Sequence, residues 1–165
     1  MAMIRGLHHN AYRCRDSEET RQFYEGFLGL PLSGSLQIDE TKSGRETRTL
    51  HTFYRMDDGS FLAFFEAPDI PFEFKKQRDF DLHIALEVSP EDLATMFEKG
   101  KSAGIETRGV SKHGFVDSIY FRDPNGYVIE LTAKCDGHDN AMDPATNGAR
   151  AIMDHWITRR GINSD

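Results

Sequence analysis

Residues 7–29, LHHNAYRCRDSEETRQFYEGFLG, and residues 82–104, LHIALEVSPEDLATMFEKGKSAG, share one pattern and decide the fold. In each stretch a histidine opens a run that suits a strand, a capped helix follows, and a glycine ends the helix. Asp16 is the predicted N-cap of the first helix and Ser89 that of the second. The chain therefore contains an internal repeat, which predicts two copies of one supersecondary unit.

Each copy continues into three predicted strands, and its last hairpin turns on a similar signal, Asp-Asp-Gly at 57–59 and Asp-Pro-Asn-Gly at 123–126. The predicted fold class is therefore α+β, built from two tandem βαβββ modules within one structural domain. The predicted ranges are 1–67 for the first module, 68–79 for a linker, 80–134 for the second module and 135–165 for a C-terminal tail.

The tail is polar at first and then predicts a helix around residues 144–157. Its Ala151, Ile152, His155 and Trp156 are spaced so that they would pack back on the body of the protein.

Composition narrows the function classes. The 165 residues carry a formal net charge of −7 without a prominent basic run, which argues against nucleic acid and anionic membrane as partners. No apolar run approaches the roughly 18 residues of a membrane span, and the N-terminal residues lack the apolar core of a signal peptide. Two cysteines, Cys14 and Cys135, do not make a disulfide framework. These signals predict a cytoplasmic protein.

Three side chains suggest a metal site. His9 and His83 stand at the same point of the repeat, and two facing modules would bring their first strands together. Glu130 lies in the otherwise apolar run Tyr-Val-Ile-Glu-Leu, where a nearby cation would offset the cost of burying a carboxylate. Two histidines and one carboxylate form the ligand set of non-haem Fe(II) oxygenases. The alternative is that both histidines are ordinary strand-end residues and that Glu130 faces solvent.

The strings LHHNAYRCRD…FYEGFLGLPL, LHIALEV and IYFRDPNGYVIEL resemble the two modules of the vicinal oxygen chelate superfamily, across about Ile4 to Ala133. That resemblance implies a U-shaped eight-stranded mixed sheet around a metal site. It also selects His9 over its neighbour His8 as the first ligand, because the family's ligand precedes the helix-starting Asp by seven residues. The superfamily includes glyoxalases, extradiol ring-cleavage dioxygenases, epimerases, transferases and metal-free binding proteins, so the fold alone does not settle function.

Glyoxalases of the superfamily carry a fourth ligand, a Glu in the last strand of the first module. Aligning the two hairpins puts Ala63 at that position, and Glu66, three residues later, falls on the opposite strand face. Glu66 stays an alternative ligand, because a β-bulge would change the register. A small residue at this position resembles extradiol dioxygenases.

Extradiol dioxygenases also carry a late motif of a His, a Tyr, Asp-Pro-x-Gly and the metal Glu. His113, Tyr120, residues 123–126 and Glu130 match it in order and spacing. The resemblance thus implies that His113 and Tyr120 are catalytic. One departure is that the family's catalytic His of the first module is absent, since Gly59 and Ser60 stand there and His51 lies one strand earlier.

The resulting prediction is a metal-dependent extradiol dioxygenase that binds Fe²⁺, acts on a catechol-type aromatic diol with O₂ and is a candidate homodimer. Phe115 and Ser60 are predicted substrate contacts. Two alternatives remain open. One is a glyoxalase- or epimerase-like lyase or isomerase that uses Mn²⁺, Zn²⁺ or Ni²⁺, and the other is a metal-free protein that binds a small molecule.

Overall fold

A computed structural model describes residues 3–76 and 78–162. Within these residues the chain forms two four-stranded sheets, in the orders β1-β4-β3-β2 and β5-β8-β7-β6. The strands are β1 Tyr12–Cys14, β2 Leu32–Glu40, β3 Glu46–Arg55, β4 Phe61–Glu66, β5 His83–Glu87, β6 Thr107–Lys112, β7 Val116–Arg122 and β8 Val128–Lys134. The helices are α1 Ser17–Arg21, which a π-helical segment Gln22–Phe27 continues, α2 Pro90–Ser102, α3 His138–Met142 and α4 Ala149–Ile162. The predicted α+β class with two tandem βαβββ modules is confirmed, with the eight strands divided between two sheets rather than joined in one.

The first helix begins where the sequence predicts. Asp16 has an extended backbone, and its carboxylate accepts a hydrogen bond from the backbone N–H of Glu19 at 2.8 Å. The helix then widens into the π-helical segment and ends at the cap residue Leu28, directly before Gly29. The second helix follows the same rule, because the Ser89 hydroxyl accepts the backbone N–H of Asp92 at 3.0 Å.

The first helix covers one face of the first sheet. Tyr24, which is fully buried, lies with its ring 4.6 Å from that of Phe64 and 5.5 Å from that of Tyr54. Aromatic packing at these distances stabilises the pairing of helix and sheet. Among the described residues no helix of this module lies on the opposite face, which carries His9, His51 and Ala63.

Strand β1 is shorter than the predicted run from His9 to Cys14. It begins at Tyr12 and runs parallel to β4, while His9 forms an isolated parallel bridge with Phe61. The other neighbouring strands of this sheet are antiparallel, so the sheet is mixed.

The chain folds into two compact units. The first runs to Ile84 and also includes Arg122–Ile129, and the second comprises Ala85–Phe121 and the chain from Glu130 onward. Within the first unit, the turn between β7 and β8 joins the first module through Asp123, whose carboxylate accepts the hydroxyl proton of Tyr24 at 3.0 Å. Burial raises the pKa of Asp123, whereas its hydrogen bonds from Asn125 and Tyr127 lower it.

The C-terminal tail differs from the prediction. Its longer helix, α4, begins five residues later than expected, and a short helix, α3, precedes it. Ile152 is 68% exposed and Trp156 is 62% exposed, so the expectation that these side chains, with Ala151 and His155, pack on the body is wrong. Amphipathic spacing was compatible with packing, but it names no partner surface. No helix in the described part of the chain is long and apolar enough to cross a membrane.

Candidate functional site

The uncovered face of the first sheet brings His9 and His51 together. His9 pairs with Phe61, and His51 pairs with Phe65 across the antiparallel β3–β4 ladder. Paired residues share a face, and residues two apart on a strand share it too, so Ala63 lies between these two pairs on the same side. The ring centroids of the two histidines are 6.3 Å apart.

Glu66 lies on the other face of the same sheet, toward the first helix. Its carboxylate accepts a hydrogen bond from the backbone N–H of Ser17 at 2.8 Å, at the start of that helix. A negative group there satisfies an otherwise unpaired amide and interacts favourably with the helix dipole. The described β3–β4 register is continuous from Leu50 to Arg55, so no bulge brings Glu66 onto the face of Ala63.

The second sheet presents Glu130 and Tyr120 on one face. The Ser118 hydroxyl donates to the Thr132 hydroxyl at 3.1 Å, so these two residues face the same way. Tyr120 is two residues after Ser118 on β7, and Glu130 is two residues before Thr132 on β8, which places all four on that face. Glu130 is only 7% exposed.

On the opposite face, Phe121 packs against α2. A Cβ built on Gly100 of that helix would lie 2.4 Å from the Phe121 ring, so the helix approaches the strand closely. The helices of both modules therefore cover one face of their sheets and leave the other face to the candidate site residues.

His113 and Tyr120 form a hydrogen-bonded pair. The Nε2 atom of His113 lies 3.1 Å from the Tyr120 hydroxyl, and the Arg108 guanidinium lies over the Tyr120 ring at 5.3 Å from its centroid. When Nε2–H of the histidine donates, the phenol keeps its own proton for a further hydrogen bond. The arrangement suits a phenol that donates to an oxygen of a bound molecule.

The hydrogen bonds of His83 set its ring tautomer. Its Nδ1 contacts the backbone carbonyl oxygen of Asp79, and a carbonyl only accepts, so Nδ1 carries the proton. The neutral ring then has its lone pair on Nε2, which is the form in which an imidazole held by a second partner binds a metal. The Nδ1 atoms of His8 and His9 lie 2.8 Å apart, so the two neighbouring rings hydrogen-bond to each other.

The structure assigns His51 a position that the sequence left open. The residue is 7% exposed, its Nδ1 lies 2.9 Å from the backbone carbonyl oxygen of Phe64, and its ring stacks on Phe65 with centroids 3.6 Å apart and an interplanar angle of 10°. A signal was present in the sequence, since His51 alternates with Phe53 on β3 and so shares its face. Relating that face to His9 required the strand register.

The predicted metal ligands have the donor atoms that a divalent ion needs, but the structure does not bring the three side chains into one group. Among residues 3–76 and 78–162, no three His, Cys, Asp or Glu side chains form a group that could hold a metal ion. His9 and His83 belong to the first compact unit and Glu130 to the second. The donor types, two imidazoles and a nearly buried carboxylate, suit Fe²⁺, Mn²⁺ or Zn²⁺. The metal site therefore stays a prediction.

The two predicted substrate contacts have local partners. Ser60 is buried, and its hydroxyl donates to the Asp58 carboxylate at 2.6 Å within the β3–β4 turn. The Phe115 ring lies 6.2 Å from that of His138, and its carbonyl oxygen accepts the backbone N–H of Cys135 at 3.0 Å. Ser60 therefore bonds within its own turn, and Phe115 contacts the beginning of the C-terminal tail. A substrate role for either residue stays a prediction.

Comparisons with known proteins found a matching family and several similar proteins. The family model of the Glyoxalase/Bleomycin resistance protein/Dioxygenase superfamily matches residues 6–131. The Bacillus subtilis protein named "Putative ring-cleaving dioxygenase MhqA" is 28% identical over 88% of this chain, which spans 45% of that protein's length. A lactoylglutathione lyase of Neisseria meningitidis is 28% identical over 81% of this chain and 94% of its own.

Among solved structures, the fosfomycin resistance protein FosX of Listeria monocytogenes, complexed with Mn(II) and a sulfate ion, superposes with a TM-score of 0.62. It is 21% identical, and the match covers 84% of this chain and 99% of FosX. At that identity the likeness shows the fold and leaves the reaction open.

Proposed function

Because the chain belongs to the glyoxalase/bleomycin resistance protein/dioxygenase superfamily, we propose that it is a metal-dependent extradiol dioxygenase that cleaves a catechol-type aromatic diol with O₂. The observation that carries this proposal is the hydrogen bond of 3.1 Å between His113 and Tyr120. Tyr120 lies on the same face of the second sheet as Glu130. A hydrogen-bonding phenol beside a carboxylate ligand suits the recognition of a substrate that binds through vicinal oxygens. The dioxygenase relative is consistent with this reading.

The proposed ligands are His9, His83 and Glu130, with Fe²⁺ as the preferred ion and Mn²⁺, Zn²⁺ or Ni²⁺ as alternatives. When bound, Fe²⁺ would supply Lewis acidity toward the two substrate oxygens and a path by which electrons pass from the diol, which is oxidised, to O₂. The backbone contact of His83 holds its ring in the tautomer that can bind a metal.

The side chains of the protein orient the substrate and control its protons. Tyr120 donates a hydrogen bond to one substrate oxygen, and Nε2–H of His113 donates to the phenol oxygen, which orients the phenol proton toward the substrate and stabilises negative charge there. Since both residues lie on one strand and its preceding loop, their mutual geometry is set by β7 and is held before substrate arrives.

The placement of Glu66 weighs against the glyoxalase-like alternative. Its carboxylate is used at the start of the first helix, and Ala63 occupies the strand position at which a fourth ligand would be needed. Three protein ligands leave more positions for substrate and O₂ than four do.

The first experiment is to load anaerobically purified protein with Fe²⁺ and to follow oxygen uptake and product absorbance with a panel of catechols that includes 2,3-dihydroxybiphenyl. We expect oxygen uptake with formation of a coloured ring-opened product. Bound metal without oxygen uptake would contradict the proposal and favour oxygen-independent lyase or isomerase chemistry. Absence of bound metal would favour a binding protein.

Replacing Tyr120 with phenylalanine is expected to lower kcat by roughly 100-fold while leaving bound metal unchanged, since the change removes the hydroxyl that bonds to His113 and the substrate and alters none of the proposed metal ligands. Steady-state oxygen uptake and metal analysis measure the two quantities. Tyr12→Phe is the matched control, because the Tyr12 ring stacks on Tyr127 at 4.7 Å in the first unit. Equal effects of the two substitutions on kcat would contradict the assignment.

A further inference from the structure

We propose that His51 is a further catalytic residue, whose Nε2 accepts a hydrogen bond from a hydroxyl of the aromatic substrate beside His9. The inference rests on the proposed function and extends it, because the late dioxygenase motif does not include this residue. It would supply the acid–base histidine of the first module, from β3 instead of from the start of β4.

The orientation of the ring is fixed by its own hydrogen bond. Nδ1 lies 2.9 Å from the Phe64 carbonyl oxygen, which accepts only, so the proton of the neutral ring sits on Nδ1. The lone pair is therefore on Nε2. A histidine held in this way presents a hydrogen-bond acceptor at its far nitrogen.

Packing holds the same ring in place. It stacks on Phe65 at 3.6 Å and lies 4.2 Å from the Phe53 ring, so a change of rotamer would disrupt two aromatic contacts. Because the side chain is already ordered, no conformational entropy has to be lost to position it when the substrate binds.

The surroundings of His51 suit an aromatic ligand. Phe53 lies 5.7 Å from His9 and 6.0 Å from Phe61, measured between ring centroids, and both phenylalanines are partly exposed on the helix-free face. Ala63, opposite Phe53 in the ladder, adds only a methyl group to this surface. A planar ring therefore has an apolar surface next to the two histidines.

A purely structural histidine would use Nδ1 alone, and two substitutions separate the roles. Asparagine places its amide nitrogen near the position of Nδ1 and can keep the bond to the Phe64 carbonyl, but it has no atom at Nε2. Glutamine places its amide group near the position of Nε2 and loses the hydrogen bond at the Nδ1 position. We therefore expect His51→Gln to keep more of kcat than His51→Asn and to be less stable. We expect His51→Asn to stay folded and to keep its bound metal, with an unfolding midpoint lowered by the lost stacking on Phe65, and to lose roughly 100-fold in kcat. His155→Asn, on the exposed helix α4, is the control with unchanged kcat.

A second measurement does not depend on turnover. The imidazole nitrogen resonances of the Zn²⁺-loaded protein, which is redox-inert, are recorded under argon before and after addition of 2,3-dihydroxybiphenyl. We expect the Nε2 resonance of His51 to shift on addition of the diol and that of His155 to stay.

The two measurements separate failure of this inference from failure of the proposed function. If the wild type consumes oxygen and His51→Asn retains its kcat, the role of His51 is structural and the inference is wrong. A missing Nε2 shift overturns it whether or not the wild type turns over. A shift without oxygen uptake by the Fe²⁺-loaded wild type supports the contact and contradicts the dioxygenase assignment.

Discussion

Replacing Glu130 with glutamine is expected to weaken metal binding by at least about 100-fold and to reduce oxygen uptake to background. The substitution keeps the shape of the side chain and removes its negative charge, the only one in the proposed ligand set. Because Glu130 is 7% exposed, a neutral amide is cheaper to bury than a charged carboxylate, so we expect the variant to stay folded. Metal content after gel filtration and oxygen uptake measure the effect.

Glu66→Gln is the matched control for this prediction. Glu66 accepts the Ser17 backbone N–H, so its replacement is expected to lower the free energy of unfolding by about 1 kcal/mol and to leave the metal bound. The opposite pattern, with metal lost from Glu66→Gln and retained by Glu130→Gln, would contradict the three-ligand site and favour a lyase-type site.

The sequence predicted those parts of the fold that depend on local periodicity. Asp16 and Ser89 cap helices as expected, because an N-cap is recognised from its own residue type and from the residue three positions later. The separation of Ala63 from Glu66 by three strand positions likewise placed them on opposite faces, as the ladder shows. The His113–Tyr120 contact joins residues seven apart in the chain, within the reach of a motif.

Local periodicity does not predict contacts between segments that are distant in the sequence. The proximity of His51 to His9 depends on which residue of β4 each one pairs with, and hydrophobic alternation fixes the face of a strand but not its offset. The prediction for the C-terminal tail was wrong for another reason. Helical spacing predicted an apolar stripe with Ile152 and Trp156, but whether a stripe is covered depends on a partner surface that the spacing does not specify.

Replacing Gly126 with alanine is expected to lower the free energy of unfolding by about 3 kcal/mol or more. Gly126 has φ +94°, and an added Cβ would lie 2.3 Å from the Lys75 carbonyl oxygen and 2.7 Å from the Lys75 nitrogen. Both are backbone atoms of a segment that bonds to the turn, since Lys75 N–H donates to the Asn125 carbonyl oxygen at 2.8 Å. Backbone atoms cannot turn aside as a flexible side chain does. Chemical denaturation measures the loss.

Gly114→Ala separates the clash from the cost of the backbone conformation. Gly114 has φ +87°, and a Cβ there would meet no atom within 4 Å, so we expect a loss of about 1 kcal/mol. Equal losses at the two positions would mean that Lys75 moves away without cost and that its contact with the turn contributes no stability. A larger loss at Gly126 would show that the linker holds the turn between β7 and β8, the strands that carry Tyr120 and Glu130. In that case kcat should fall with Gly126→Ala even at temperatures where the variant stays folded, because the two side chains depend on the turn for their relative position.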